Sequence, residues 1–187
     1  MGRRLFPLLM AAALAAALTA CGRTATPPGT APTDAVGVTV IAPDERQPAP
    51  PIAGELLGGG RLDLAEEPAR WTVVNAWASW CEPCQTETPE LVAFAAANPR
   101  IRVVGLDVQD RTGAAQEFVR AKKVGYPNVL DPDGTVLATI PGVPPKALPS
   151  TVVIDPQGRI AARAVGAVTR ATLDQMLVDA GATVTTP

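Results

Sequence analysis

The stretch Trp80-Cys81-Glu82-Pro83-Cys84 constrains this chain more than any other part of it. It holds two of the three cysteines and follows directly after an apolar run, residues 71–77, that predicts a buried strand. A buried strand that delivers a C-x-x-C pair to the start of a helix is the sequence form of a thiol–disulfide redox site. The chain is therefore predicted to exchange electrons through Cys81 and Cys84.

A structural zinc site and a purely structural disulfide are the competing interpretations of the pair. The sequence has no histidine, and the third cysteine, Cys21, lies far away in a different context. A zinc site therefore lacks its two further Cys or His ligands, and a disulfide that closes so short a loop stabilises little. A redox-active disulfide with no metal and no other cofactor is predicted. Binding of Cu(I) by the same two thiolates stays open as an alternative.

The spacing gives the two cysteines different roles. Cys81 is expected at or just before the helix N-terminus, where free backbone N–H groups and the helix dipole favour a thiolate. It is the predicted nucleophile, and Cys84, one turn further in, is the predicted resolving thiol. Pro83 suits the first helical turn because its missing N–H is not needed there. Glu82 places a negative charge beside the pair and should oppose thiolate formation, with a merely solvated charge in the first turn as the alternative.

Two further positions are candidates for chemistry. Glu87 lies three residues after Cys84 on the same helical face, so its carboxylate could accept the Cys84 proton and raise thiol pKa values. A plain surface glutamate is the alternative. Pro149 precedes a predicted strand and could form a cis bond, in a loop where the backbone of Leu148 pairs with an extended substrate. The residues alone leave a trans bond equally open.

Strands and helices alternate along the predicted domain before a closing hairpin and helix. The predicted strands occupy residues 61–64, 71–77, 101–108, 126–130, 151–155 and 159–165. The predicted helices follow Cys81, span residues 112–123 and begin after Thr169. This order predicts a thioredoxin fold, an α/β fold with a mixed central sheet flanked by helices, extended by an N-terminal β-hairpin and a mid-domain insertion.

The amino terminus predicts a targeting segment. Arg3 and Arg4 precede an apolar stretch that is short for a membrane span, which needs about 20 residues. The following Leu18-Thr19-Ala20-Cys21 resembles a bacterial lipobox, so residues 1–20 are predicted to be a lipoprotein signal peptide and Cys21 the lipidated residue. An ordinary secretory signal is the alternative.

The segment after the signal predicts a stalk. Residues 21–50 are rich in Thr, Ala and Pro and hold few large apolar side chains, so we expect a flexible tether with a short strand near residues 36–41. Residues 51–187 are the predicted domain. The net charge of the whole chain is −2, and without residues 1–20 it is −4, which gives no basic field for nucleic acid.

A family resemblance is carried by two stretches. Residues Val73 to Cys84 (VVNAWASWCEPC), with Glu87 and Pro89 behind them, resemble the TlpA/ResA branch of membrane-tethered thioredoxin-like proteins. Residues 148–151 (LPST) are similar to the cis-proline loop of that family. The resemblance spans roughly residues 50–180. It implies a cis bond at Pro149 and a Glu87 carboxyl that lies in the active-site cavity and helps to set thiol pKa values.

The resemblance also bears on the neighbours of the pair. Asn75 occupies the position where cytoplasmic thioredoxins carry a buried aspartate that assists proton transfer. Because an amide cannot take that role, proton transfer is expected to fall to Glu87. Trp80, Leu148 and Pro149 are the expected substrate-binding residues. The region 135–146 departs from the family because it is short and rich in proline, which leaves the helix of many relatives in doubt.

The predicted function is that of a lipid-anchored thiol–disulfide oxidoreductase on the extracytoplasmic face of the cell membrane. The resemblance favours a monomeric reductant of secreted or membrane-associated proteins, supplied by a membrane electron donor of the CcdA type and serving cytochrome c maturation. A disulfide-forming oxidase and a Cu(I) carrier are the alternatives. A peroxidase is disfavoured because the sequence has no separate peroxidatic-cysteine motif.

Overall fold

A six-stranded mixed sheet forms the centre of the molecule. The computed structural model describes residues 37–67 and 69–185. The strands of the sheet are β1 (Gly37–Val40), β4 (Thr72–Trp77), β5 (Arg102–Val108), β6 (Asn128–Asp131), β7 (Ser150–Ile154) and β8 (Ile160–Val165), and their spatial order is β1-β8-β7-β4-β5-β6. A separate antiparallel hairpin is formed by β2 (Ala53–Glu55) and β3 (Arg61–Asp63). The predicted thioredoxin fold and its N-terminal hairpin are confirmed.

Four helices connect or follow these strands. They are α1 (Glu82–Ala97), α2 (Thr112–Ala121), α3 (Thr135–Ala138) and α4 (Arg170–Asp179). Together β6 and α3 correspond to the predicted mid-domain insertion, in which the doubtful helix is a single turn of four residues. Thr169 caps α4 as predicted, because its side chain accepts a hydrogen bond from the Thr172 backbone N–H. Within the described ranges, no helix combines the length and apolarity needed to cross a membrane.

The strand β4 lies inside the sheet and positions the redox motif. It runs parallel to β5 and antiparallel to β7, and all six of its residues are buried. Alternate residues serve two apolar clusters: Val73 packs with α1 and α4, whereas Val74 packs with α3 and the hairpin side. Burial on both sides explains the continuous apolar run in the sequence. The strand ends at Trp77, four residues before Cys81.

The predicted boundary between stalk and domain at residue 51 is wrong, because residues 37–50 belong to the folded domain. The strand β1 pairs antiparallel with β8, with Val38 opposite Ala164. Further along, the Ala49 N–H donates to the Gly158 carbonyl at 2.9 Å. The Pro-rich composition predicted a tether, but strand pairing depends on a partner far away in the sequence. The predicted signal peptide, Cys21 and residues 21–36 lie outside the described residues.

A buried charge cluster fastens this N-terminal segment at the end of β7 that is remote from the cysteines. Arg46 and Arg159 both contact Asp155, with Nη1–Oδ2 and Nη2–Oδ2 distances of 3.2 and 2.8 Å. Arg46 also donates to the carbonyl of Ala180 at the end of α4, at 2.8 Å. Burial alone would raise the pKa of Asp155, but hydrogen bonds from the backbone and side chain of Arg159 and from Arg46 lower it below its ordinary value.

Candidate active site

The cysteine pair lies at the start of α1, shortly after the end of β4. Cys81 is the N-cap of α1 and forms a disulfide with Cys84, with an S–S distance of 2.04 Å. The Cys84 backbone N–H points at the Cys81 sulfur, with N–Sγ at 3.3 Å. Pro83 lies in the first turn, where a helix needs no N–H. The helix N-terminus is thus aimed at the sulfur that the sequence analysis assigned as the nucleophile, and it favours a thiolate there after reduction.

Both cysteine residues are buried, but Cys81 follows an exposed tryptophan. Cys81 is 5 % exposed and Cys84 1 %, so the resolving thiol is the more deeply buried of the two. The neighbouring Trp80 is 60 % exposed and is the most exposed large apolar side chain among the described residues. An exposed indole beside a nearly buried disulfide gives a partner protein an apolar contact next to Cys81.

The corner between β5 and α2 holds the loop that carries Trp80. The carboxylate of Asp110 accepts hydrogen bonds from the backbone N–H and the hydroxyl of Ser79. The carbonyl of Gln109 accepts the indole N–H of Trp80 at 3.1 Å. From the other side, the Gln85 amide of α1 donates to the Ser79 carbonyl at 2.8 Å. Sequence reasoning assigned no role to this corner, because its contacts join segments about 30 residues apart.

The loop before β7 brings the predicted substrate-binding residues to the cysteines. The Leu148–Pro149 peptide bond is cis, as the family resemblance implied. Leu148 packs against the apolar cluster that contains both cysteines. Among the described residues, the backbone N–H and C=O of Leu148 have no hydrogen-bond partner, whereas the Pro149 carbonyl accepts from Gly166 at 2.9 Å. Leu148 therefore has free backbone groups of the kind that pair with an added extended segment.

Glu87 is buried rather than a surface glutamate. It is 2 % exposed, its Oε1 accepts the Val168 backbone N–H at 2.9 Å, and its Oε2 accepts the Asn75 amide at 3.1 Å. Burial raises the pKa of Glu87 to about 7, although the hydrogen bonds from Val168, Asn75 and Thr151 oppose the rise. A carboxyl with such a pKa can hold or release a proton near neutral pH, one helical turn after Cys84.

Asn75 holds this carboxyl in place. Its amide nitrogen also lies 3.1 Å from the hydroxyl oxygen of Thr151, the second residue of β7. Glu87, Asn75 and Thr151 thus link α1, β4 and β7 directly behind the cis-proline loop. Thr151 was missed as a site residue because its sequence context indicated only a buried strand.

Asp107 is a second buried carboxyl at this end of the sheet. It is 2 % exposed, and its Oδ1 has no hydrogen-bond partner within the described part of the chain. Burial, and then the nearby charge of Asp110, raise the pKa of Asp107 to about 7. The sequence shows an acidic residue at the end of a buried strand, but it does not show that the side chain lacks partners.

The remaining predicted site residues are less closely involved. The side chain of Glu82 is exposed in the first turn of α1, and its carbonyl accepts a hydrogen bond from the Thr86 hydroxyl. Its predicted effect on the thiols therefore rests on its charge alone. Cys21, the predicted lipidation site, lies outside the described residues.

A family model matches most of the described domain. The model of the AhpC/TSA family matches residues 46–163, which is more than half of the chain. This range includes the cysteine pair, Glu87, Asp107 and the cis-proline loop.

Individual relatives agree with that match. The thiol–disulfide oxidoreductase ResA of Bacillus subtilis is 29 % identical over 127 residues, covering 67 % of this chain and 69 % of ResA. A thiol:disulfide interchange protein of Paracoccus denitrificans, a DsbE homologue, is 38 % identical over 124 residues, covering 64 % of this chain and 66 % of the relative. The chain thus spans about two thirds of the length of these two relatives.

A solved structure is similar over more of its length. The crystal structure of a DsbF homologue from Corynebacterium diphtheriae superposes with a TM-score of 0.71 at 33 % sequence identity. The match covers 75 % of this chain and 91 % of that protein. The structural similarity therefore extends over three quarters of this chain and is not confined to the C-x-x-C motif.

Proposed function

The chain belongs to the AhpC/TSA family as a thiol–disulfide oxidoreductase of the ResA and DsbE type, and we propose that it reduces disulfides of secreted or membrane-associated proteins. The observation that carries this proposal is a buried carboxyl on the same helix as the cysteine pair. Glu87 lies three residues after Cys84 and has a pKa of about 7. It can therefore exchange a proton with a thiol under physiological conditions.

The first half of the reaction uses Cys81. In the reduced protein its thiolate, stabilised by the N-terminus of α1, attacks one sulfur of a substrate disulfide. The substrate S–S bond breaks, a mixed disulfide forms between Cys81 and the substrate, and one substrate thiolate leaves and takes a proton from water. Trp80 and the free backbone groups of Leu148 hold the substrate segment during this step.

The second half uses Cys84 and Glu87. The Cys84 thiol gives its proton to the Glu87 carboxylate, and the resulting thiolate attacks the sulfur of Cys81. The mixed disulfide breaks, the second substrate thiolate leaves, and the Cys81–Cys84 disulfide forms. Two electrons have passed from the dithiol to the substrate. Asn75 and the Val168 N–H keep the carboxyl in position for this transfer.

The electrostatics of the site support a reductant. A thiol whose ionisation is opposed by negative charge is a poor leaving group, and the dithiol is then readily oxidised. Glu87 and Glu82 are both acidic residues of α1, and the groups that lower the pKa of Glu87 are all neutral hydrogen-bond donors. We therefore propose that the pair is kept reduced by a membrane electron donor of the CcdA type, in a role such as cytochrome c maturation.

The proposed location follows from the sequence of the amino terminus. The lipobox-like residues 18–21 support cleavage before Cys21 and lipidation of its thiol, which would hold the domain on the extracytoplasmic face of the cell membrane. Attachment near a membrane donor would shorten the search between two redox partners.

One observation favours a second candidate, a disulfide-forming oxidase. The Cys84 N–H donates to the sulfur of Cys81, and this contact stabilises a thiolate and hence the reduced state of the pair. The reduction potential distinguishes the two functions. A value near that of thioredoxin, about −270 mV, supports the reductant, and a value near about −120 mV supports the oxidase instead.

The central test is reduction of insulin disulfides by the full chain, with dithiothreitol as the electron source. We expect Cys81→Ser to reduce the rate to the uncatalysed background, because the attacking thiolate is absent. Cys84→Ser should instead accumulate a mixed disulfide with the substrate, since the resolving thiol is missing. Activity of Cys81→Ser at the wild-type rate would show that the pair is not the redox centre.

The matched control is Cys21→Ser, which removes the cysteine outside the pair. In the same assay it should reduce insulin at the wild-type rate. In cell fractionation it should leave the membrane fraction, because lipidation needs the Cys21 thiol. Retention of this variant at the membrane would contradict the proposed anchor without affecting the proposed redox activity.

A further inference from the structure

Asp107 is flanked on both sides by residues of the apolar cluster that contains the redox cysteines. In the parallel pairing of β4 and β5 it lies opposite Trp77, and in that of β5 and β6 it lies opposite Leu130. Residues paired in register point to the same face of a sheet, about 5 Å apart. Trp77 and Leu130 both belong to the cluster of Cys81 and Cys84. The Asp107 carboxyl therefore lies on the floor of that cluster.

No contact among the described residues gives the Asp107 carboxyl a structural role. Every other buried acid at this end of the sheet is held by donors: Glu87 by Val168 and Asn75, and Asp131 by the backbone N–H groups of Val136 and Leu137. The Oδ1 atom of Asp107 has no donor among the described residues. A buried carboxyl oxygen without a donor destabilises a fold, and this cost gives a physical reason to look for a chemical role of Asp107.

The charged groups around Asp107 come from two directions. The start of α1 contributes the Cys81–Cys84 disulfide, which shares the apolar cluster of Trp77 and Leu130 and becomes two thiols on reduction, and Glu87 lies further along α1 on the side of α4. The corner between β5 and α2 contributes the carboxylate of Asp110, whereas the side chain of Arg111 is exposed. On this face, β4 and β6 contribute the uncharged Trp77 and Leu130, and α2 contributes Ala115 and Phe118.

We propose that Asp107 is a second proton-handling carboxyl of the redox pair, which takes up a proton when the disulfide is reduced and releases it when the disulfide forms. This inference rests on the redox function proposed above. Reduction adds two electrons and two protons: one proton binds the Cys84 sulfur and the other binds Asp107, which leaves Cys81 as the thiolate. The reason is like-charge repulsion: a thiolate and a carboxylate in the same apolar cluster raise each other's pKa, so one of the two groups binds a proton.

The two buried acids then work from different sides of the pair. Glu87 serves the transfer from Cys84 on the side of α4. Asp107 acts through the field it shares with the Cys81 sulfur on the side of α2, so it tunes the pair rather than touching the substrate. Its pKa of about 7 in the disulfide form means that a small added repulsion is enough to protonate it at neutral pH.

Asp107→Asn tests the proposal, because it replaces the carboxyl by an uncharged amide of the same shape. The pKa of Cys81 is measured from the pH dependence of iodoacetamide alkylation of the reduced full chain. In wild type we expect two coupled steps; in Asp107→Asn we expect one step, with the Cys81 pKa lower by about one unit. The equilibrium with glutathione should move about tenfold toward the dithiol, which corresponds to about 30 mV.

Glu117→Gln is the matched control, since it removes an exposed carboxylate from α2 and should leave both readouts at wild-type values. If the alkylation profile and glutathione equilibrium of Asp107→Asn equal those of wild type, the proposal is overturned. Alkylation needs no substrate. If Asp107→Asn shifts the alkylation profile but the wild-type chain fails to reduce insulin, only the proposed function is rejected. If the wild-type chain reduces insulin but Asp107→Asn does not shift the profile, only this inference is rejected.

A second measurement covers the case in which Asp107→Asn does not fold. In Glu87→Gln, Glu87 can give no carboxylic acid signal. The reduced-minus-oxidised infrared difference spectrum of that variant should still contain one new carboxylic acid C=O band, from Asp107. Absence of any such band would show that Asp107 does not take up a proton on reduction.

Discussion

The two ends of β7 hold equally buried acidic residues whose pKa values are shifted in opposite directions. Asp155 directly follows the strand, and Glu87 lies beside Thr151 near its start. Each residue is 2 % exposed. Even so, the pKa of Asp155 is lowered, whereas that of Glu87 is raised to about 7. Burial alone therefore does not decide whether an acid in this protein carries a charge.

The difference lies in the donors. Asp155 faces the guanidinium groups of Arg46 and Arg159, whose charges remain at every physiological pH. Glu87 receives only neutral donors, from Val168, Asn75 and Thr151. Neutral hydrogen bonds fix the position of a carboxyl but compensate its charge only in part. At one end of the strand, Asp155 is held in an ion-pair cluster. At the other end, Glu87 can bind and release a proton near neutral pH.

Removing the charge at the fastened end should have the largest effect. Asp155→Asn leaves the buried Arg46 without its counter-charge, and we expect the free energy of unfolding to fall by about 3–5 kcal/mol. Urea denaturation at pH 7 measures this loss. The thiol pKa of Cys81 should not change, because the substitution lies at the opposite end of the sheet.

Asp133→Asn is the control for that experiment, since Asp133 is an exposed acid with no side-chain ion pair among the described residues. It should change the free energy of unfolding by less than about 0.5 kcal/mol. A loss below about 1 kcal/mol for Asp155→Asn would mean that the two ends differ less than their geometry indicates.

The pH dependence of stability should show the contrast with opposite signs. Glu87 has a folded pKa of about 7 against an ordinary 4.5, so its contribution is complete below about pH 4.5 and is lost as the pH rises to about 7. The expected loss is about 3 kcal/mol. The contribution of Asp155 is instead present above its ordinary pKa of about 3.8 and is lost as the pH falls through its lowered folded value.

Glu87→Gln should flatten the part of this profile between pH 4.5 and 7, as measured by urea denaturation at half-unit intervals. Asp107 has the same sign as Glu87, so a residual slope should remain in the single variant. If the free energy of unfolding of Glu87→Gln falls with pH as steeply as that of wild type, Glu87 is not the group whose raised pKa causes the loss.

The smallest effect on the free energy of unfolding is expected from Arg159, the more exposed arginine of the cluster around Asp155. The side chain of Arg159 is 34 % exposed, whereas that of Arg46 is 6 % exposed. Arg159→Lys keeps the charge where water can replace lost hydrogen bonds, so we expect a destabilisation of at most about 1 kcal/mol. Arg46→Lys should destabilise more by the same assay. The reverse order would show that exposure is not what distinguishes the two arginines.

The redox motif could be predicted because its information is local. A buried strand, a turn, Cys81 at a helix start and Glu87 one turn beyond Cys84 all lie within one short stretch. Helical geometry alone puts those side chains on one side of α1. The cis bond at Pro149 needed the family resemblance in addition, since the residues left trans equally open.

The features that were missed depend on long-range pairing. The isolation of Asp107 follows from the register of β4, β5 and β6, which no local pattern specifies. The ion pair of Arg46 with Asp155 joins residues 109 positions apart. The boundary at residue 51 was wrong for the same reason: the short strand expected near residues 36–41 does form as β1, but its place in the domain depends on pairing with the distant β8.

The pairing of β1 also fixes the end of the sheet at which this strand begins. Its first residue, Gly37, lies opposite Val165, which lies opposite Ser150, the residue after the cis-proline. The chain ahead of Gly37 therefore joins the domain at its redox end. At the other terminus, the Thr185 N–H donates a hydrogen bond to the side chain of Asn98, the C-cap of α1, about 26 Å along that helix from Cys81. Any segment attached ahead of β1 is therefore attached beside the disulfide, and not beside the far end of α1.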